Sequence, residues 1–269
     1  MNPIQPFRIA LSMLLGFAGT AHADPQPTTE QGWIAIQGLM FSQALSAFQS
    51  EPTANTPSAR LGQAVALLHK QPTTRGHIEE ALSILESLAR DESGSEEALQ
   101  AAYLRARVIQ LHPFEPDPRA SLPLYHALVT EAPRTLIGQL AFLKWAGIEL
   151  YSGDVDDRDV PFAAIEADGE FLSDPDCRRS FHLLLAEAGQ RRHHDDDFVL
   201  RHYLSAYEAG LAKPDLQANV LTRIIVLEQK TGRTDQARAH AELFIAAYPR
   251  DIRITQIGEI IGDPDSLKR

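Results

Sequence analysis

Residues 237–249 read ARAHAELFIAAYP, with small residues at Ala237 and Ala241, a bulky one at Phe244 and a stop at Pro249. Steps of four and three residues return to one side of a helix, so Ala237, Ala241 and Phe244 share a face. The same small-then-large pattern recurs at Ala44-Phe48, Ala81-Leu85-Leu88, Ser121-Tyr125-Leu128-Pro133, Ala164-Phe171 and Val199-Tyr203-Ala206. Counted from first anchor to first anchor, the steps are 37, 40, 43, 35 and 38 residues. A near-constant length of this kind predicts a helical repeat array and not one compact fold. In an antiparallel helix pair the small residue lets the backbones approach, and the bulky one a turn later fills the hole against the next pair. Leu88 and Leu128 are therefore expected in the core.

Start and stop signals cut the chain into short helices. Arg60 to Lys70 ends at Gln71-Pro72, and Thr74 is placed to cap a helix from Arg75 to Arg90. Ser93 and Glu96 have the spacing of a reciprocal cap for the next helix, which stops before Pro113. Asp117-Pro118 and Asp174-Pro175 are starts in which a side-chain acceptor precedes a residue that loses no needed donor. Thr135 can cap a helix through Trp145 to Tyr151, with Gly153 beyond it. Phe198 to Ala209 closes at Gly210, Pro214 to Lys230 is followed by Gly232, Thr234 to Ala247 stops before Pro249, and a last helix spans Ile252 to Ile261. No alternating apolar and polar run framed by hairpin turns occurs, so the class is all-α. No linker-like tract follows Pro57, which predicts one continuous array over residues 24–269.

On these residues the chain resembles the tetratricopeptide repeat (TPR) family. The unit Leu216 to Pro249 carries it best, with Ile224, Ile225, Gly232, Ala237, Ala241, Phe244 and Pro249 at the family's packing positions; the unit around Ser121-Tyr125-Leu128-Pro133 is close behind. The repeat steps exceed the family's 34 residues throughout, and neither Trp33 nor Trp145 is followed by the family's Leu-Gly pair. The resemblance implies a right-handed superhelical solenoid of antiparallel helix pairs, about six degenerate repeats plus a C-terminal capping helix. It also implies a concave groove, lined by the first helix of each pair, that holds an extended peptide or a partner helix. In the last unit that face would carry Asn219, Thr222, Val226 and Gln229. The Lys/Asn pattern with which some members clamp a terminal carboxylate is not reproduced by Asn219 and Arg223.

The N-terminus reads as an export signal. Arg8 precedes an apolar run from Ile9 to Ala18, and Ala21-His22-Ala23 presents a small-residue cleavage site, so residues 1–23 are expected to be removed. The run is short for a membrane span, which needs about 20 apolar residues, and no lipid-accepting cysteine follows it. The expected location is the periplasm or the medium. Removing Arg8 takes the charge from −11 to −12, 24 basic against 36 acidic side chains. That balance argues against a nucleic-acid partner and is equally what keeps an exported protein soluble. One cysteine, Cys177, excludes an intramolecular disulfide framework. Its place at a helix start beside Arg178 and Arg179 would favour a thiolate, whereas a seam between helices would make it a small apolar filler.

Two polar clusters bear on chemistry. Arg191 to Asp197, with His193, His194, Asp195, Asp196 and Asp197, has metal-ligating side chains, but adjacent histidines in a loop converge poorly on one ion. Caps for the following helix from Asp196 or Asp197 are the other use of the same residues. Asp154, Asp156, Asp157 and Asp159 resemble a calcium loop only until Arg158, which occupies a ligand position with no glycine after it. Motifs for nucleophilic hydrolysis, zinc proteolysis, dinucleotides and phosphate loops are absent. The expectation is therefore a non-enzymatic scaffold or adaptor of the cell envelope, with no cofactor or metal and a protein or peptide partner. A metal-binding or hydrolytic enzyme using His193 to Asp197 is one alternative. Self-assembly through Ile254, Ile257, Ile260 and Ile261 is the other.

Overall fold

The computed structural model describes residues 27–50, 54–152 and 161–262, and every regular element among them is helical. The expected signal segment 1–23, Gly153 and the Asp154 to Asp159 cluster lie outside the described residues. The chain divides between Thr130 and Glu131 into two compact units.

The first unit holds α1 (Pro27–Gln37), α2 (Phe41–Phe48), α3 (Pro57–His69), α4 (Arg75–Asp91), α5 (Glu96–Leu111) and α6 (Pro118–Glu131). From α1 to α5 each helix packs on the next, and α1 on α3 and α3 on α5 also touch. The second unit holds α7 (Leu136–Tyr151), α8 (Phe162–Asp168, continued by a 3-10 turn Gly169–Phe171), α9 (Pro175–Arg191), α10 (Asp196–Glu208), α11 (Pro214–Lys230), α12 (Thr234–Ala247) and α13 (Ile254–Ile261). Here α9 to α13 pack in chain order, α7 lies on α9, and α11 reaches α13. Neighbour-on-neighbour packing with contact between alternate helices is what stacked helix pairs require: each pair leaves an apolar face that only the next one covers.

The anchor residues carry this packing. Ala44, Phe48, Ala81, Leu85, Leu88, Ser121, Tyr125, Leu128, Val199, Tyr203, Ala206, Ala237, Ala241 and Phe244 are all 2% exposed or less, and all fall on even-numbered helices. The small partners are often glycines on neighbouring helices. A Cβ on Gly62 would lie 2.3 Å from the Phe48 ring and one on Gly32 2.5 Å from it, so that ring is seated between α1 and α3 by two missing side chains. Ala164 is the exception, because it is exposed. In α8 the buried residues are Phe162 and Ile165, so the apolar face of this seven-residue helix is turned away from the expected anchor.

Capping follows the polar residues closely. Thr74, Asp117, Thr135 and Asp174 accept from the amides of His77, Ala120, Gly138 and Cys177 at 2.9–3.2 Å, as expected. Ser95, not Ser93, caps α5, accepting from Ala98 N at 3.1 Å. Gly210 and Gly232 take φ of +81° and +78° just after α10 and α11, a conformation that costs glycine nothing. At the C-terminus Ile257 is fully buried against Ala218, Leu221, Ile225, Ala241 and Phe244, so α13 covers the end of the α11–α12 pair.

One bond marks equivalent positions in the two units. Tyr125 of α6 donates its hydroxyl to Gln110 Oε1 at 2.8 Å, and Tyr203 of α10 does the same to Gln190 at 2.9 Å. Each glutamine is the last residue but one of the preceding helix. In both places an arginine donates to the same glutamine oxygen, Arg107 at 2.6 Å in the first unit and Arg223 in the second.

Candidate functional site

The C-terminal halves of α7, α9 and α11 bring a polar and aromatic face together in the second unit. Tyr203 is fully buried beneath it, and its hydroxyl fixes the Gln190 oxygen that also accepts from Arg223. The Arg223 guanidinium lies 5.8 Å from the centre of the Tyr203 ring, and that of Arg191 lies 5.6 Å from the centre of the Tyr151 ring. Both distances suit attraction between a cation and an aromatic face. Tyr151, 38% exposed, has its hydroxyl pKa pushed up, first by burial and then by the Glu187 carboxylate, with Arg191 and Arg223 acting in opposition. One small surface therefore holds two guanidiniums, one carboxylate and a tyrosine ring.

The four groove residues expected on α11 border this surface but are not equivalent. Asn219 is exposed, yet its Oδ1 accepts from Arg253 Nη1 at 2.6 Å. Arg253 is in turn held by Asp251, whose carboxyl it keeps down to about 2 through their hydrogen bonds. Thr222 is half-buried and donates to the carbonyl of Ala218 on its own helix at 2.8 Å. Val226, 41% exposed, and Gln229 remain open. Asn219 thus belongs to the fastening of the α12–α13 connection, and the accessible part of the row is Val226 and Gln229 with Arg223 beside them.

The densest chemical cluster lies elsewhere in the unit, between α8, α9 and α10. His182 and His202 approach through their Nδ1 atoms at 3.0 Å, one ring donating and the other accepting. His202 Nε2 is buried 3.3 Å from Glu166 Oε1 without hydrogen-bond alignment, while Glu166 is engaged by Arg201. Burial lowers the pKa of both imidazoles, and the hydrogen bond from Arg201 lowers that of Glu166. The row continues through Phe198, 4.5 Å from His202, to His194, 4.4 Å from Phe198, and to Phe162 of α8, 4.7 Å from His194. These rings pack at tilted or edge-to-face angles along the row, and its chemistry is to hold α8 on α9 and α10. Periodicity could not reveal it, since Glu166, His182 and His202 stand on three helices and each falls at an ordinary helical position.

The residues from Arg191 to Asp197 separate instead of converging. Asp195 caps α10 by accepting from Phe198 N at 2.9 Å, replacing the expected cap from Asp196 or Asp197. Asp196 pairs with Lys230 at 2.7 Å and Asp197 with Arg233 at 2.8 Å. His194 turns its ring into the aromatic row, His193 is exposed in a left-handed turn, and Arg192 donates to the carbonyls of Leu150 and Ser152. Among the described residues, no three His, Cys, Asp or Glu side chains are placed to hold a metal ion. Cys177 is buried, and burial together with the Asp174 carboxylate pushes its thiol up to about 12. The cations expected to activate it are turned away: Arg178 to the Leu172 carbonyl and Arg179 to Asp176 and the Gly210 carbonyl.

The geometry defines the class as an all-α protein of helices stacked in chain order. Comparison with family models finds no match, and comparison with curated proteins finds no significant relative. No described helix is long and apolar enough to cross a membrane.

Proposed function

We propose that this chain is a non-enzymatic scaffold or adaptor of the cell envelope, a tetratricopeptide-like solenoid that holds an extended segment or a helix of a partner protein. In this reading the helix pairs form a right-handed superhelix of about six degenerate repeats, α13 is its cap, and the odd-numbered helices line the partner surface. The protein acts after export, in the periplasm or the medium, once residues 1–23 are removed. The observation that carries the reading is the open row on α9 and α11, where Gln190, Arg191, Arg223, Val226 and Gln229 are exposed while the even-numbered helices hold the buried anchors. The burial of Ile257 favours a cap over a self-assembly surface for α13. The dispersal of the Arg191 to Asp197 side chains into caps and ion pairs counts against that cluster as a metal-binding or hydrolytic site.

The test is site-specific photocrosslinking of the full chain in its native cell. A crosslinking residue at Val226 or Gln229 should capture one and the same protein, and one at exposed Ala239 on α12 should not. Equal capture from all three positions, or none from any, would overturn the proposal.

A further inference from the structure

Several arginines of this chain are paired with its own carboxylates: Arg75 with Glu115, Arg201 with Glu166, Arg233 with Asp197 and Arg253 with Asp251. Arg191 and Arg223 are not. Both are exposed, both belong to the face built by α7, α9 and α11, and among the described residues neither meets a carboxylate within ion-pair distance. Other described arginines also lack an acid, but these two share one face and each guanidinium is held against a tyrosine ring. Glu187 lies one turn before Arg191 on the same helix, yet Arg191 stacks on Tyr151 instead of pairing with it.

We infer that this face binds an extended acidic segment of a partner protein, whose side-chain carboxylates pair with Arg191 and Arg223. The inference rests on the reading of the face as the partner surface and adds the chemistry of what it holds. Each guanidinium is already oriented: Arg223 by the Gln190 oxygen and the buried Tyr203 ring, Arg191 by the Tyr151 ring. An oriented planar fork loses little freedom when a carboxylate engages it through two parallel hydrogen bonds. Farther along α11 from Arg223, Val226 offers an apolar contact and Gln229 an amide to a backbone. Those two features suit a polypeptide and are wasted on a simple anion. The net charge of −11 does not forbid an acidic ligand, because charges farther away than a Debye length of about 8 Å are screened at physiological salt. Two guanidiniums are also too few for a nucleic-acid backbone, whose affinity comes from many phosphate contacts.

Fluorescence anisotropy on the full chain tests this with a labelled Glu/Ser/Val peptide, its Gln/Ser/Val counterpart and inorganic phosphate as competitor. The acidic peptide should bind more tightly, lose affinity with added salt, and lose about tenfold for each of Arg191→Gln and Arg223→Gln, the equivalent of one charge-assisted hydrogen-bonded pair. Unchanged circular dichroism and unfolding temperature in both variants would show that the loss is local. Equal affinity for the two peptides would overturn the acidic chemistry while leaving the face a partner surface. Binding of neither would also overturn it, and crosslinking at Val226 would then decide the fate of the face separately. Release of the peptide by phosphate as readily as by unlabelled peptide would reduce the site to one for small anions and overturn the inference.

Discussion

His69 sits at the end of α3 with its ring stacked on Phe41 at 5.1 Å, and burial pushes its pKa from 6.5 down to about 4. Burial lowers those of His182 and His202 as well. In the unfolded chain these imidazoles take protons near 6.5, while folded His69 and His202 refuse them until about pH 4 and folded His182 takes one only below its ordinary range. Between the two values the unfolded state binds more protons, so stability is full above about pH 6.5 and declines as pH falls toward about 4. Asp251, held down to about 2, adds a loss confined to more acidic solution, which keeps the windows apart. Unfolding temperature should therefore drop between pH 7 and pH 4.5, and His69→Phe should make the drop shallower by keeping the stack and removing the proton. An undiminished drop in that variant would remove His69 from the account. At this scale the sequence was only partly legible. Thr74, Asp117, Thr135 and Asp174 could be read as caps because capping depends on the next three residues. For Cys177 the sequence offered a thiolate or a small apolar filler, and the buried filler is what forms, with Arg178 and Arg179 drawn to the carbonyls of Leu172 and Gly210 in other segments.

The elements are governed by what fits between them. Gly62 of α3 leaves room for the Phe48 ring, and Gly76 of α4 has nothing near its missing side chain. The same change should then have opposite signs: Gly62→Ala destabilises by about 1–3 kcal/mol through overpacking, and Gly76→Ala stabilises by about 0.5–1 kcal/mol through helix propensity. Urea unfolding of the two variants checks both, and matching signs would refute the seating of Phe48. Leu128 of α6 is 2% exposed, so Leu128→Ala should cost about 2–5 kcal/mol by leaving a cavity; wild-type unfolding would remove it from the core. Helix pairs and anchors were readable because their spacing is set within one helix. Ala164 misled because the pattern there rests on two residues, and α8 is too short for periodicity to fix which side faces inward. The face on α7, α9 and α11 was half-read: its α11 row lies within one helix, whereas Tyr151, Arg191 and Tyr203 join it only through packing.

For the whole molecule, the chain divides at Thr130 into two units, and the second ends on a cover. In the second unit that cover is α13, and Ile257→Asp should expose the apolar surface of Ala241 and Phe244. Amide exchange should then quicken in α11 and α12 first and leave α1 to α3 as in the wild type, since stacked helices share stability mainly with their neighbours. Uniform quickening throughout the chain would mean that stability is pooled. An apolar capping set could be read from the sequence in Ile254, Ile257 and Ile260, but the division into units could not, because no change in composition marks it.

The Gln110–Tyr125 and Gln190–Tyr203 bonds do more than anchor two arginines: each latches the end of one helix to the middle of the next. Parting the two helices of either pair would break that bond and leave a buried tyrosine hydroxyl without its acceptor, so each pair should move as one piece.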